Sequence, residues 1–529
     1  MTMIRPLPTR LWVRLVVCAL FPAALGGCRS LEDAEAPPHV RNVIVMINDG
    51  AGWGAWDAAA YWQYGHRRGA PYADFPARYA MRTSPLNTSS SPTHDATARV
   101  DYDPALAWST EPSDDPALPF VGYRELARAA TDSAAAGTAL ASGIKTYNNA
   151  INHDNFGRPV EPVTFVAKAA GKATGVVTSV PFTHATPAAF AAQNASRNRY
   201  HEIGRQMLTQ GRLDLIMGTG APGYNVNGTA CDALAADESQ AGCRQPDEFL
   251  ATEDWQALQA ARYVPAGARA PWKVIRSNEE FAALAEGTLR TDAPVLGVPR
   301  IARTLQQARE RRILGADAAT ASGDRLVPSV PTLATMTRGA IAHLSARSDE
   351  GFFLMVEGGA TDWAAHTSKC GTQWQYGACT SEPEYGRLIE ETVDFNRAVA
   401  AVVAWVDAHS NWDETLLIVT TDHDNSMPMG PDAQTVAYQP VVNRGRGATP
   451  GISFRPTGNH SNALVPLWAK GAGADLFERR VRGRDDGYAR HVGWNDGRYI
   501  DNTDVAFVVR ALLESRPVEG LHLQRTQSP

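Results

Sequence analysis

Val43-Ile44-Val45-Met46-Ile47-Asn48-Asp49-Gly50 is the stretch on which the fold turns. Five apolar residues, mostly β-branched, run without interruption into a polar turn that opens with an amide, a carboxylate and a glycine. A run this short and this continuous reads as a strand buried on both faces, as in parallel sheets covered by helices on either side. The pattern recurs. Phe352–Val356 runs into Glu357-Gly358-Gly359, and Leu416–Thr420 runs into Thr421-Asp422-His423. Gly175–Val180 and Leu213–Met217 are further runs of the same kind. Between them lie longer segments of helical spacing, such as Glu390–His409, where Ile389, Val393, Ala400 and Val403 share a face. Helical fragments are also expected near Trp255 and over Ile301–Arg311. Strands alternating with helices predict an α/β fold, a three-layer α/β/α sandwich around a large, mostly parallel sheet.

The ends of these strands carry the chemistry. In open α/β sheets ligands gather at the carboxyl ends of the strands. Here three predicted strands deliver Asp49, Glu357, Asp422 and His423 to that rim, with Asp362 and His366 just beyond Glu357. So many carboxylates in one place repel one another unless cations lie among them. Mixed Asp and His donors suit zinc, whereas carboxylate with hydroxyl suits magnesium. Asp362 and His366 are four residues apart, so one helical turn sets both on one face toward one ion. His460 sits in Thr457-Gly458-Asn459-His460, a loop too polar for core. Any one of these residues alone reads as a helix cap or a surface group; the set does not.

Ala130-Thr131-Asp132-Ser133-Ala134-Ala135-Ala136-Gly137-Thr138-Ala139-Leu140 supplies a candidate nucleophile. The alanine run favours a helix with Ser133 in its first turn, where free N–H groups and the dipole favour an alkoxide and a bound phosphate. The same residues also read as a plain Asp/Ser cap, and this segment alone leaves both readings open.

Taken together, Thr131-Asp132-Ser133-Ala134-Ala135, Asn48-Asp49-Gly50, Val356-Glu357-Gly358, Thr421-Asp422-His423 and Gly458-Asn459-His460 resemble the alkaline phosphatase family, in the family's order from end to end. Thr183-His184-Ala185-Thr186-Pro187-Ala188-Ala189 is similar to the segment that supplies a hydroxyl to the family's third metal. The resemblance covers roughly residues 40 to 475, apart from insertions. It implies that Asp362, His366 and His460 hold a first zinc, and that Asp49, Asp422 and His423 hold a second zinc beside Ser133. Asp49, Thr186 and Glu357 would hold a third ion, magnesium in most members. Arg197 would clamp the phosphate and Asp132 would orient the nucleophile. The implied reaction is hydrolysis of phosphate monoesters through a phosphoserine at Ser133. Small-molecule monoesters are the implied partners, and a homodimer is common in the family although monomers occur. His184 and Trp363 depart from the best-known bacterial pattern of Asp and Lys, so the third ion is open to being cobalt or zinc. Phosphodiesterase or phospholipid-head-group hydrolase activity is the alternative on the same scaffold, although relatives that favour diesters generally lack the arginine and often carry threonine as nucleophile. A non-catalytic binding lipoprotein is the alternative from another class.

The rest of the chain bounds these readings. The 529 residues carry 56 acidic and 50 basic groups, net −6, with no run of like charge, so nothing forms a nucleic-acid footprint. Arg5, Arg10 and Arg14 precede the apolar stretch Leu15 to Leu25 and then Gly26-Gly27-Cys28, which reads as a signal peptide over 1–27 with lipid attachment at Cys28, the alternative being an ordinary cleaved leader with Cys28 incidental. Export to the periplasm, the outer membrane as an anchored lipoprotein, or the exterior follows as an expectation, with a linker over 28–40 and a catalytic domain over 41–515. In an oxidising compartment the close pairs Cys231–Cys243 and Cys370–Cys379 are most simply disulfides. Residues 82–120, 219–330 and 427–458 read as insertions at the rim, with a second domain in 219–330 as the alternative.

Overall fold

Strand β1 (Asn42–Ile47) is buried along its whole length and divides its side chains between two cores. Val43, Val45 and Ile47 face one and Ile44 and Met46 the other, as the period of two requires. Each such fully buried Val or Ile contributes roughly 1.5–3 kcal/mol of apolar transfer energy, which holds the strand between two helical layers. The computed structural model describes residues 38–235, 240–245, 247–366, 385–453 and 459–515. The leader with Cys28, and the pair Cys370 and Cys379, lie outside the described residues.

The strands follow in chain order as β2 (Ala77–Arg82), β3 (Ala173–Pro181), β4 (Leu215–Thr219), β5 (Lys273–Ile275), β6 (Val295–Gly297), β7 (Phe352–Glu357), β8 (Thr415–Thr420), β9 (Asp424–Asn425), β10 (His460–Ser461), β11 (Val465–Gly471), β12 (Gly483–Arg484) and β13 (Arg498–Asp501). Eleven of them form one sheet in the order β12-β13-β2-β11-β8-β1-β7-β3-β4-β6-β5. From β8 to β5 every neighbour is parallel, whereas β11 runs against both β8 and β2. Helices Ser133–Ser142, Val163–Ala169, Tyr200–Thr209 and Thr503–Leu513 pack on one face, and Trp53–Tyr64, Leu333–Ser345 and Tyr385–His409 on the other. This is the mostly parallel α/β sandwich expected from the apolar runs. No helix among the described residues is long and apolar enough to cross a membrane.

Two local expectations change. The segment 219–330 supplies β5 and β6 and so widens the sheet itself. Ile301–Arg311 is not a helix: bends and turns occupy it, and a short helix begins only at Arg311. Its amides are drawn to distant carbonyls instead, Ala302 to Asn225 and Leu305 to Ser179, while Ile301's own carbonyl takes Ala221 N–H. Tertiary partners win over local spacing here, because each backbone group can satisfy only one geometry. Cys231 and Cys243 are joined as a disulfide within the same segment.

Candidate active site

The register of the three central strands brings their acidic ends to one rim. Ile47 lies opposite Glu357 on one side and Thr420 on the other. Asp49 and Asp422 therefore emerge at the same level, two residues past paired positions. Gly50 makes the close turn that follows: its φ is +67°, and a Cβ there would fall 2.7 Å from Asp362 Oδ1. Only glycine accepts that conformation and that approach.

Two clusters result. In the first, His460 Nε2 is 3.2 Å and His366 Nε2 3.4 Å from the Asp362 carboxylate, and the two ring nitrogens are 3.1 Å apart. Helix Ala360–His366 carries Asp362 and His366 on one face. His460 comes not from a free loop but from the β9–β10 ladder, where it pairs with Asn425. Its Nδ1 lies 2.7 Å from the Thr131 carbonyl, so Nε2 is the ring nitrogen turned toward Asp362. In the second cluster His423 Nε2 is 3.1 Å from Asp422 Oδ2 and 3.5 Å from Asp49 Oδ1. The rings of His423 and His460 stack at 3.6 Å between centroids, so the clusters adjoin. The other oxygen of Asp49 accepts from Thr186 Oγ1 at 3.3 Å, and Glu357 accepts from Thr178 beside it. One carboxylate thus joins the second Asp/His cluster to an all-oxygen group of Asp49, Glu357 and Thr186.

The donor chemistry fits cations. Asp49 Oδ1, Asp422 Oδ2 and Glu357 Oε1 are buried without a hydrogen-bond partner. Orphaned buried acceptors are costly, more so when charged, and a cation among them removes that cost. Without one, burial and then Asp422, Asp362 and Glu357 push Asp49 well above the usual carboxylate range. Burial likewise lifts Glu357 to about 7. Asp362 goes the other way: burial opposes ionisation, but His366 and His460 hold it well below its ordinary value. Mixed Asp/His sets are zinc-like, and the oxygen set suits a harder ion.

Ser133 opens helix Ser133–Ser142 and is almost fully buried, with Oγ 3.2 Å from His423 Nε2. Asp132 caps the helix through Ala135 N–H at 2.9 Å. Its second oxygen takes the Arg197 guanidinium at 3.1 Å and Asn149 N–H at 2.9 Å. Cap and anchor are thus one carboxylate. Arg197 Nη2 lies 3.4 Å from His184 Nε2. Burial, then Arg197, lowers the His184 pKa to about 3, so the ring is neutral. The His184 and Trp363 rings meet edge-on at 5.4 Å. Ser133, Arg197, His184, Trp363 and the first cluster all line one cleft of about 420 Å³.

Sequence reasoning missed several neighbours. Thr178 lies mid-run in a strand and carries no motif. Asp424, whose Oδ2 accepts from Ser461 Oγ at 2.5 Å and ties β9 to β10, adjoins Asp422-His423 and could have been found there. The cleft walls from Tyr200, Glu248, Phe249, Arg303 and Gln307 had no signal at all.

Comparison with known proteins agrees with this geometry. The alkaline phosphatase family model matches residues 40–449. Alkaline phosphatase 4 of Bacillus subtilis (strain 168) is 30% identical over 390 residues, 73% of this chain and 61% of that protein. Streptomycin-6-phosphate phosphatase of Streptomyces griseus is 29% identical over 377 residues, 67% of this chain and 75% of that one. The alkaline phosphatase structure from Thermus thermophilus shares the fold, with a TM-score of 0.54 at 21% identity, covering 96% of this chain and 97% of that one. The matched region spans 49% to 64% of the Bacillus and Escherichia relatives. With a family match over most of its length and a site assembled from the residues that the motifs named, the chain belongs to the alkaline phosphatase family.

Proposed function

We propose that this protein hydrolyses phosphate monoesters to an alcohol and inorganic phosphate, through a covalent phosphoserine at Ser133. The observation that carries this reading is the position of Ser133 Oγ, 3.2 Å from the ring nitrogen that also faces Asp422 and Asp49. Asp362, His366 and His460 would hold one zinc, Asp49, Asp422 and His423 a second, and Asp49, Thr186 and Glu357 a third ion, magnesium or, given His184 and Trp363, cobalt or zinc. When bound, such cations supply the positive charge that favours a serine alkoxide and a departing oxygen anion. Ser133 Oγ forms the new bond to phosphorus as the ester P–O bond breaks, and water then cleaves the phosphoserine. The helix N-terminus at Ser133 faces the transferring group with its free N–H groups. Arg197, held by Asp132, offers its planar fork to two non-bridging oxygens. A monoester can give both and still keep a third non-bridging oxygen for the metal side of the site, whereas a diester has no third one and one fewer negative charge, which favours the monoester reading. The catalytic domain is taken as residues 41–515, exported behind a leader, with lipid attachment at Cys28, disulfides at Cys231–Cys243 and Cys370–Cys379, and a homodimer as the assembly to test.

The deciding experiment compares a nitrophenyl phosphate monoester with the bis-nitrophenyl diester, using protein stripped by EDTA and reloaded with zinc and magnesium. Faster monoester turnover that depends on reloading is expected. Faster diester turnover sinks the reading in favour of a diesterase, and no metal-dependent turnover of either favours a binding protein.

A further inference from the structure

The cleft that contains Ser133 extends past the reacting end into a wall made by the 219–330 segment. Phe249 is buried on this wall, and its ring meets Tyr200 edge-on at 5.2 Å. Tyr200 lies nearly parallel to His184 at 6.4 Å, and the Trp363 ring meets His184 edge-on at 5.4 Å. Beside these rings Arg303, 6% exposed, donates to Glu248 at 2.6 Å, and its guanidinium carbon lies 5.7 Å above Phe249. All of these side chains line the same cleft as Ser133 and Arg197.

This wall is anchored to the catalytic scaffold. The Phe249 carbonyl accepts from Thr183 Oγ1 at 3.1 Å, next to His184 in sequence. The Asp247 carbonyl lies 2.6 Å from His201 Nε2. Thr219, at the end of β4, donates to the Arg303 carbonyl, and Leu305 N–H bonds to Ser179 in β3. Rings and ion pair are therefore held at a set place relative to Ser133, as a selective site requires.

We infer that this wall is a leaving-group subsite, and that it selects monoesters whose alcohol carries a planar ring with hydrogen-bonding edges, the class to which nucleoside 5′-phosphates belong. The inference rests on the monoester reading above and adds the substrate class. The rings of Phe249, Tyr200 and Trp363 offer apolar faces and edges for a planar group. The Glu248–Arg303 pair has no net charge, so it does not draw a second anion. It presents an acceptor and donors side by side, which complements a base edge. A small polyol phosphate would meet the rings with hydroxyls and gain nothing from them. The cleft volume of about 420 Å³ lies in the about 300–1,000 Å³ range of small-molecule sites.

The test uses the zinc- and magnesium-loaded full chain with adenosine 5′-monophosphate and glycerol 3-phosphate. The expected result is a higher kcat/KM for the nucleotide, carried mainly by KM. Phe249→Ala should reduce the ratio of the two kcat/KM values about three- to tenfold, the scale of one stacking contact. Glu248→Gln should reduce the same ratio. Equal kcat/KM for the two esters in the unaltered protein overturns the inference, as does an equal loss on both in Phe249→Ala, which a purely structural role would give. Calorimetric titration with adenosine separates this from failure of the monoester reading, because it needs no turnover. Saturable binding that Phe249→Ala weakens supports the subsite even if neither ester is cleaved. Absence of binding in the unaltered protein overturns it even if both are.

Discussion

His423 Nε2 stands 3.2 Å from Ser133 Oγ, 3.1 Å from Asp422 Oδ2 and 3.5 Å from Asp49 Oδ1. A hydroxyl and two carboxylates addressed by one ring nitrogen fit the proposed metal site with Ser133 at its edge. A Ser/His hydrogen bond alone would not need two buried acids beside it.

Removing the hydroxyl should therefore remove catalysis while leaving the metal ligands in place. Ser133→Ala is expected to lower kcat by about three orders of magnitude or more, the scale on which loss of an activated nucleophile acts. Zinc content should be unchanged. The check is acid quenching with labelled monoester, in which phosphate stays on the unaltered protein and not on the variant.

Arg197 and Asp132 should behave as one unit. Arg197→Ala is predicted to lower monoester kcat/KM about 10- to 100-fold and diester turnover less, because one bidentate clamp is lost. Arg197→Lys should not restore it, since ammonium lacks the planar fork. Asp132→Ala should raise the monoester KM and also cost about 0.5–2 kcal/mol of stability, because the same carboxylate caps the Ser133 helix. A normal Tm in that variant would contradict the cap.

Metal removal should change the sign of the pH dependence of stability. Without cations Glu357 binds its proton more tightly folded than unfolded, with a pKa of about 7 against an ordinary 4.5, and Asp49 moves the same way. A raised folded pKa gives stability that is present below the unfolded value and lost as pH rises through the folded one. The stripped protein should thus lose Tm between about pH 5 and pH 8 relative to the loaded protein. Loaded protein binds its metals more tightly as these ligands deprotonate, so the gap widens with pH. Paired thermal melts across that range, with and without chelator, give the answer; a constant gap would contradict the account.

His184 is neutral at every physiological pH, since burial and Arg197 hold its pKa near about 3. It brings no negative charge to the neighbourhood of the Asp49, Glu357 and Thr186 oxygens. His184→Asp should add one, drawing a hard cation more strongly. Magnesium titration of the stripped, zinc-reloaded variant should reach half-activation at lower concentration than in the unaltered protein. An unchanged midpoint would place His184 outside the third ion's influence.

Much of the sheet was legible because its central strands are buried on both faces and so are written as unbroken apolar runs. Val43–Ile47, Phe352–Val356 and Leu416–Thr420 each appear within one residue at either end of where the runs place them. Strand β2, with Arg78 and Arg82, carries no such run. It becomes a strand through the ladder it forms with β11, Val465 opposite Met81 and Ala469 opposite Ala77. Pairing over nearly four hundred residues leaves little local trace. The helix expected at Ile301–Arg311 failed for the same reason, its amides being drawn to Asn225 and Ser179.

The site divides along the same line. Asp49, Glu357, Asp422 and His423 could be named from sequence, because strand direction and the turn after each strand place them locally at one rim. Ser133 could be named as a helix-opening hydroxyl. What only the tertiary structure decided is how they meet. The register of β1 with β7 and β8 levels the acids, the β9–β10 ladder brings His460 beside Asp362, and Asp132 links the serine helix to Arg197. The Phe249 and Arg303 wall belongs wholly to that second category. Its residues come from an insertion without regular pattern, and long-range hydrogen bonds alone set them over the cleft.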